Sequence, residues 1–321
     1  MRRTTSLHCV RAAIDAAQAA LTNGDAEGTL RALDNAKRTP DATASDVDVL
    51  RAQAFLLKND PMGARQALLE NLRWFPGKAE ARELLLHVNG ALAPMLDLPA
   101  DVAAKEPEFA MVYDGIRDHT MLTWPRLLSL FSMVRSVCRE GVAGDIVECG
   151  VAGGGSTVLL GVALRLFGEG KGAPSRRIFA CDTFAGMPPP TSRDVLAHGG
   201  DLAAETHWAT GTCSGSPDHL ERLAAHFGIS VTPLVGLFSD TLPTLPTDKV
   251  AVFHLDADWF ESTDTALRSV YPKIAQGGMM QVDDYGYWSG CREAVDAFLD
   301  AAQRSRLQPV DGSAVTLSIR P

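Results

Sequence analysis

From residue 145 onward, short apolar runs alternate with helical stretches, and this alternation limits the possible folds more than any other feature of the chain. The runs are Asp145–Cys149, Arg177–Cys181, Val231–Val235, Val250–Leu255 and Met279–Val282. Helical periodicity fills the intervals near Ser156–Phe167, Pro217–Phe227 and Ser262–Ile274. Ser216 followed by Pro217 is an N-cap and first-turn signal for the second helix. Such alternation predicts an α/β fold, a mostly parallel sheet with helices on both faces. A helix over Arg292–Ala302 and a run at Ala314–Ile319 predict an antiparallel strand closing the sheet. Ligands of such sheets lie beyond the carboxyl ends of the strands, so the residues after each run are the functional candidates.

The first run leads into Gly150-Val151-Ala152-Gly153-Gly154-Gly155-Ser156. Glycines there let a ligand approach the backbone and expose amides at a helix start to an anionic group. The turn suits NAD, a nucleotide phosphate or a carboxylate alike. It lacks the lysine of a P-loop and the GxGxxG spacing. Asp182 follows the second run, where a carboxylate accepts hydrogen bonds from ribose hydroxyls. Asp256-Ala257-Asp258 follows the fourth and Asp283-Asp284 the fifth. Carboxylates brought that close repel one another, and burial adds to the cost. A hard cation relieves both, which points to Mg²⁺ first and to Ca²⁺ or Mn²⁺ after it. The charge distribution agrees. The chain carries a net −9, and residues 240–300 hold 11 acidic against 4 basic side chains.

Residues 1–100 differ, with 12 basic and 12 acidic side chains and alanine and leucine at helical spacing. Gly24–Leu33 aligns with Asn59–Leu68 at an offset of 35 residues. This resembles tetratricopeptide helix pairs, whose period is about 34 residues. Two copies are fewer than such arrays need, so an irregular helical bundle fits as well. The region reads as a docking or oligomerisation module (1–100) ahead of a catalytic domain (101–321), with Asn89–Lys105 as linker and a homo-oligomer as the expected assembly. The acidic balance argues against nucleic acid and anionic membranes as partners. Six scattered cysteines without a CxxC pair, no apolar signal core after Met1-Arg2-Arg3, and no uncharged run of membrane-spanning length predict a cytoplasmic protein.

Several segments then match a family in order: Gly144–Val151, Gly211–Ser216, Phe238–Pro243, His254–Thr263 and Val282–Gly286. Over roughly residues 110–320 the chain resembles the macrocin-type O-methyltransferases, S-adenosylmethionine- and Mg²⁺-dependent enzymes that methylate sugar hydroxyls of bacterial natural products. The resemblance implies a Rossmann-like class I methyltransferase fold with a seven-stranded sheet. It places Glu148 under the cofactor, Gly150 and Gly154 at its close approach and Ser156 near its carboxylate. Asp182 falls on the ribose, Phe238 and Ser239 beside the adenine. Asp256, Asp283 and Asp284 fall on the metal, and Asp258 off the ligand position. Ala152-Gly153 stands where many relatives have Trp-Arg, and Trp259-Phe260 where they have Leu-Tyr, which alters the expected acceptor pocket. Trp259 also occupies the position of a lysine base in the related catechol-type enzymes.

The expected reaction moves a methyl group to a small-molecule hydroxyl aligned with the sulfonium. Asp256 is the first candidate to accept the hydroxyl proton and His254 the second. Trp259, Tyr285, His207 and Trp208 are candidate acceptor contacts, the last two on a long loop, 187–212, of the kind that forms lids. An inactive scaffold, an NAD-dependent oxidoreductase and a methyltransferase for catechol or peptide hydroxyls are the rival readings. The strand-end residues separate these, because the fold alone does not.

Overall fold

The computed structural model describes residues 2–37, 46–168, 176–206, 208 and 210–319. Two compact units emerge. One comprises Met1–Asp97 with Ala185–Pro189 and His207–Ser216; the other comprises Leu98–Phe184, Pro190–Thr206 and Pro217–Pro321.

The first unit is built on helices α1 (Arg2–Thr22), α2 (Ala26–Lys37), α3 (Val47–Leu57), α4 (Pro61–Trp74) and α5 (Ala79–Leu96). α1 pairs with α2 and α3 with α4, and the two turns share one device. Asp25 accepts the N–H of Gly28 at 2.8 Å, and Asp60 accepts that of Gly63 at 2.9 Å, 35 residues on. The offset seen in the sequence is therefore a repeat of capping geometry. The expected linker is instead helical. α5 runs to Leu96 with Pro94 in its last turn, and Pro99 caps α6 (Ala100–Lys105). Proline is tolerated near helix ends because few intrahelical bonds are lost there.

A neutral ion quartet lies inside this unit. Lys37 Nζ is 2.9 Å from Asp48 and 2.6 Å from Glu70, and Arg51 is 2.7 Å from Asp48 and 3.4 Å from Glu70. Glu70 is fully buried. Its other oxygen accepts the Ser214 N–H at 3.1 Å, while Arg73 donates to the Ser214 carbonyl at 2.7 Å and Gln66 to Cys213 Sγ at 3.0 Å. α4 thus seats the Gly211–Ser216 motif, and Met187 and Gly211–Thr212 exchange backbone hydrogen bonds beside it.

The second unit holds a seven-stranded sheet of order β3-β2-β1-β4-β5-β7-β6. The strands are β1 (Asp145–Cys149), β2 (Ile178–Asp182), β3 (Thr232–Val235), β4 (Val250–Leu255), β5 (Ile274–Val282), β6 (Gln308–Pro309) and β7 (Val315–Ser318). β1 to β5 are parallel; β7 is antiparallel to β5 and β6. This is the sheet that the resemblance implies. β1 and β4 are buried along their whole length, as central strands covered on both faces must be. α7 (Pro107–Ile116), α8 (Trp124–Arg139) and α9 (Gly155–Gly168) share one apolar core with Ile146, Ile178, Ala251 and Val252 of the sheet. α10 (Pro217–His226) and α11 (Phe238–Thr241) flank β3 in sequence. α12 (Phe260–Val270) contacts β4 and pairs with α13 (Ser289–Phe298), and α14 (Ala301–Arg304) begins with an Asp300–Gln303 capping box. Winding reverses between β1 and β4, and the carboxyl ends of strands at such a switch point are where ligands of this kind of sheet bind. Among the described residues no helix is long and apolar enough to cross a membrane.

The expected lid, 187–212, divides between the two units. Its middle is anchored in the sheet unit by Asp194, fully buried, whose carboxylate accepts the N–H groups of Phe260 at 2.8 Å and Thr191 at 2.7 Å. Trp208 lies with the first unit and His207 lies outside the described residues.

Candidate active site

The site begins where β1, β4 and β5 end. Gly150 has φ +93°, and a Cβ there would sit 1.8 Å from the Asp256 carbonyl oxygen. Asp256 N–H in turn donates to the Cys149 carbonyl at 2.9 Å. The glycine is required here because the loop after β4 presses against the end of β1, which fixes where Asp256 starts. Gly154 (φ +83°) is close to Leu220, and Ser156 is buried in the first turn of α9.

Asp182 holds this turn together. One oxygen accepts the N–H groups of Val151 at 2.7 Å and Ala152 at 3.1 Å; the other accepts Phe184 N–H at 2.8 Å. Much of its acceptor capacity therefore serves the glycine turn itself. Phe238 is half-buried and Ser239 exposed, both at the start of α11 after β3.

Glu148 and His254 are fully buried and joined. Glu148 accepts from the Thr157 hydroxyl with one oxygen and from His254 Nδ1 at 2.8 Å with the other. His254 Nε2 is 3.3 Å from Asp283 Oδ1, an ion-pair distance without hydrogen-bond alignment. Burial opposes a charge on this imidazole, yet the Asp283 and Glu148 carboxylates raise its pKa well above the usual value. His254 thus bridges Glu148 on β1 and Asp283 at the end of β5.

Two groups of ligand atoms converge. His254, Asp256 and Asp283 place one each within 4.8 Å of one another, and so do Asp256, Asp258 and Asp284. Asp256 belongs to both. Asp258, placed off the ligand position by the resemblance, joins the second group through a left-handed backbone (φ +55°) and accepts Trp288 Nε1 at 3.1 Å. Burial, then the neighbouring carboxylates, push Asp256 and Asp258 well above the ordinary carboxylate range. Asp284 is raised by burial and Asp283, with Arg126 opposing. Asp283 Oδ2 and Asp284 Oδ2 are buried with no hydrogen-bond partner. Crowded carboxylates with orphaned buried oxygens are a donor set that a hard divalent cation fits.

Two expected acceptor contacts are otherwise engaged. Trp259 is 2% exposed and packs edge-on against Trp288 at 4.9 Å. The Tyr285 hydroxyl donates to Asp296 on α13 at 2.9 Å. Sequence reasoning missed Gln281 and Arg126. Gln281 Nε2 donates to Asp283 Oδ1 at 2.8 Å and shares its strand face two residues earlier, which was a usable signal. Arg126, on α8, carries no such signal; its NH1 is 3.8 Å from Asp283 Oδ2.

A pH dependence follows. The raised carboxyls of Asp256, Asp258 and Asp284 bind protons more tightly folded than unfolded. Their contribution is full below the unfolded value of about 3.9 and is lost as pH rises through the folded values. The raised His254 acts with the same sign, its contribution full below about 6.5. Metal-free protein should therefore show a falling unfolding midpoint from about pH 5 to about pH 8 by differential scanning fluorimetry, with Mg²⁺ restoring more at the upper end. A flat or rising metal-free profile would contradict these shifts.

A seven-stranded sheet of this order, a glycine turn after β1 and carboxylates after β4 and β5 define a class I O-methyltransferase. The chain matches the sequence model of the macrocin O-methyltransferase (TylF) family over residues 66–318, and it belongs to that family. It is an S-adenosylmethionine-dependent O-methyltransferase. The match begins in α4, at Gln66, well before the segments first compared, and so takes in the residues that seat Gly211–Ser216. The chain is 36% identical over 206 residues (59% of this chain, 76% of the relative) to 8-demethyl-8-(2,3-dimethoxy-alpha-L-rhamnosyl)-tetracenomycin-C 4'-O-methyltransferase of Streptomyces olivaceus. It is 34% identical over 183 residues (56% and 67%) to demethyldecarbamoylnovobiocin O-methyltransferase of Streptomyces niveus. The solved O-methyltransferase NovP superposes with a TM-score of 0.53 at 30% identity, over 63% of this chain and 83% of that one. The calicheamicin methyltransferase CalS11, at 20% identity and a TM-score of 0.52 over 73% and 92%, shares the fold.

Proposed function

We propose that this enzyme methylates a sugar hydroxyl of a glycosylated natural product, with a divalent cation, Mg²⁺ first, held by Asp256, Asp283 and Asp284. The observation that carries the metal reading is the pair of orphaned buried oxygens, Asp283 Oδ2 and Asp284 Oδ2, facing raised carboxyls. The sugar reading is supported by relatives named for rhamnosyl-tetracenomycin and, in Micromonospora griseorubida, mycinamicin III.

A bound cation supplies acidification and anchoring of the acceptor hydroxyl. The chain's residues do the rest. Asp182 fixes the glycine turn beside which the donor lies, with Ser156 toward the donor carboxylate and Phe238 and Ser239 toward its adenine. Gly150 lets the Asp256 backbone come up against β1. The Asp256 carboxylate accepts the hydroxyl proton as the methyl group moves in line from the sulfonium onto oxygen and the donor leaves as its thioether. Asp258 stands beside it as a fourth carboxylate. The helical unit reads as a docking or oligomerisation module, supported by exposed Leu86 and Met95.

Incubation with S-adenosylmethionine, Mg²⁺ and a panel of glycosylated polyketides and other sugar-bearing metabolites, with catechol and hydroxylated-peptide controls, tests this by mass spectrometry. A one-methyl gain located on the sugar is expected. A gain on catechol or peptide hydroxyls alone would overturn the sugar reading.

A further inference from the structure

We propose that Arg126 is a built-in counter-ion to the carboxylate cluster, which keeps the carboxylates together without a cation and loosens their hold on one that binds. The proposal rests on the metal reading above.

Arg126 is fixed at both ends. Its carbonyl accepts Gln281 Nε2 at 3.3 Å, and the same nitrogen donates to Asp283 Oδ1 at 2.8 Å. Its Nε donates to Asp311 Oδ2 at 2.7 Å, an oxygen that also accepts from the Thr123 hydroxyl at 3.1 Å. Asp311 Oδ1 caps the N–H groups of Ser313 and Ala314, both at 2.8 Å, and the Ser313 hydroxyl donates to the Asp283 carbonyl at 2.7 Å. α8, β5 and the turn before β7 thus hold the arginine and Asp283 in one frame. Within it NH1 stops 3.8 Å from Asp283 Oδ2, too far to hydrogen-bond and near enough to offset charge. Oδ2 stays without a hydrogen-bond partner. The guanidinium therefore offsets part of the cluster's charge without consuming the lone pair that a cation would use. A fixed positive charge beside a ligand lowers the affinity of that site for a cation. An arginine serving only to staple α8 to the turn would not distinguish metal-free from metal-bound protein.

The test compares full-length wild type, Arg126→Met and Arg126→Lys after chelation and desalting, titrated with Mn²⁺ and followed by electron paramagnetic resonance of the free ion. Arg126→Met should bind Mn²⁺ about tenfold more tightly than wild type, the scale on which groups around a metal site tune it. Arg126→Lys, which keeps the charge, should stay near wild type. Metal-free Arg126→Met should also melt below wild type, with the gap narrowing at saturating Mn²⁺. Equal or weaker binding by Arg126→Met, or a melting gap that Mn²⁺ does not change, overturns the counter-ion role and leaves the metal reading standing. No Mn²⁺ binding by any of the three overturns the metal reading and the proposal with it.

Discussion

Asp283→Asn should lower methyl transfer by about 10²–10³-fold, the scale of loss when one electrostatic contact at the reacting centre is removed. The substitution keeps the volume of the side chain and an oxygen for Gln281 Nε2. It removes the charge that faces His254 at 3.3 Å and Arg126 at 3.8 Å, and the amide nitrogen takes the place of the orphaned Oδ2 that a cation would use. Donor binding should change little, because no contact of Asp283 reaches the glycine turn or Asp182. Steady-state turnover, together with calorimetric titration of S-adenosylhomocysteine, separates the two effects. Turnover near that of wild type would mean that Asp283 only fills space at the end of β5.

The second large effect concerns stability. Glu70→Leu should destabilise the helical unit by about 3–5 kcal/mol, the cost of stranding buried charge by removing one partner. Two cations, Lys37 and Arg51, would then share Asp48 alone, inside a unit where both side chains are under a tenth exposed. The Ser214 N–H would also lose its acceptor. Lys37→Met/Glu70→Leu removes one charge of each sign and should recover a good part of the loss, a coupling that a double-mutant cycle reads directly. Urea unfolding of the full chain measures both. A loss below about 1 kcal/mol, ordinary for an exposed pair, would show that the quartet is solvated.

The parts of this molecule that the sequence disclosed are those governed by strand periodicity. Asp256, Asp283 and Asp284 were legible because parallel strands end on one edge, so whatever follows each apolar run meets there. Legibility stopped where the backbone leaves the strand conformation. Asp258 has a left-handed φ, which breaks the two-residue alternation. That turn brings Asp258 into the carboxylate group, where the resemblance had not placed it, and carries Trp259 into the core. β6, two residues long, is too short to leave a pattern. Pro94 and Pro99 looked like linker residues because both break helix interiors, but they sit at a last turn and a cap, where proline is tolerated. Arg126 and Glu70 act through partners far along the chain, and no local spacing encodes such a meeting. The 35-residue repeat was visible for the opposite reason: both halves of each capping bond lie within one turn of helix.

The central claim is that the carboxylates at the ends of β4 and β5 work with a divalent cation. The most direct measurement is the rate of methyl transfer to a glycosylated acceptor by enzyme stripped with EDTA, desalted, and supplied with graded free Mg²⁺. Turnover should fall to a small residue after stripping and return along a saturating curve as Mg²⁺ is added. Full-rate transfer by the stripped enzyme, with chelator still present, would contradict the account.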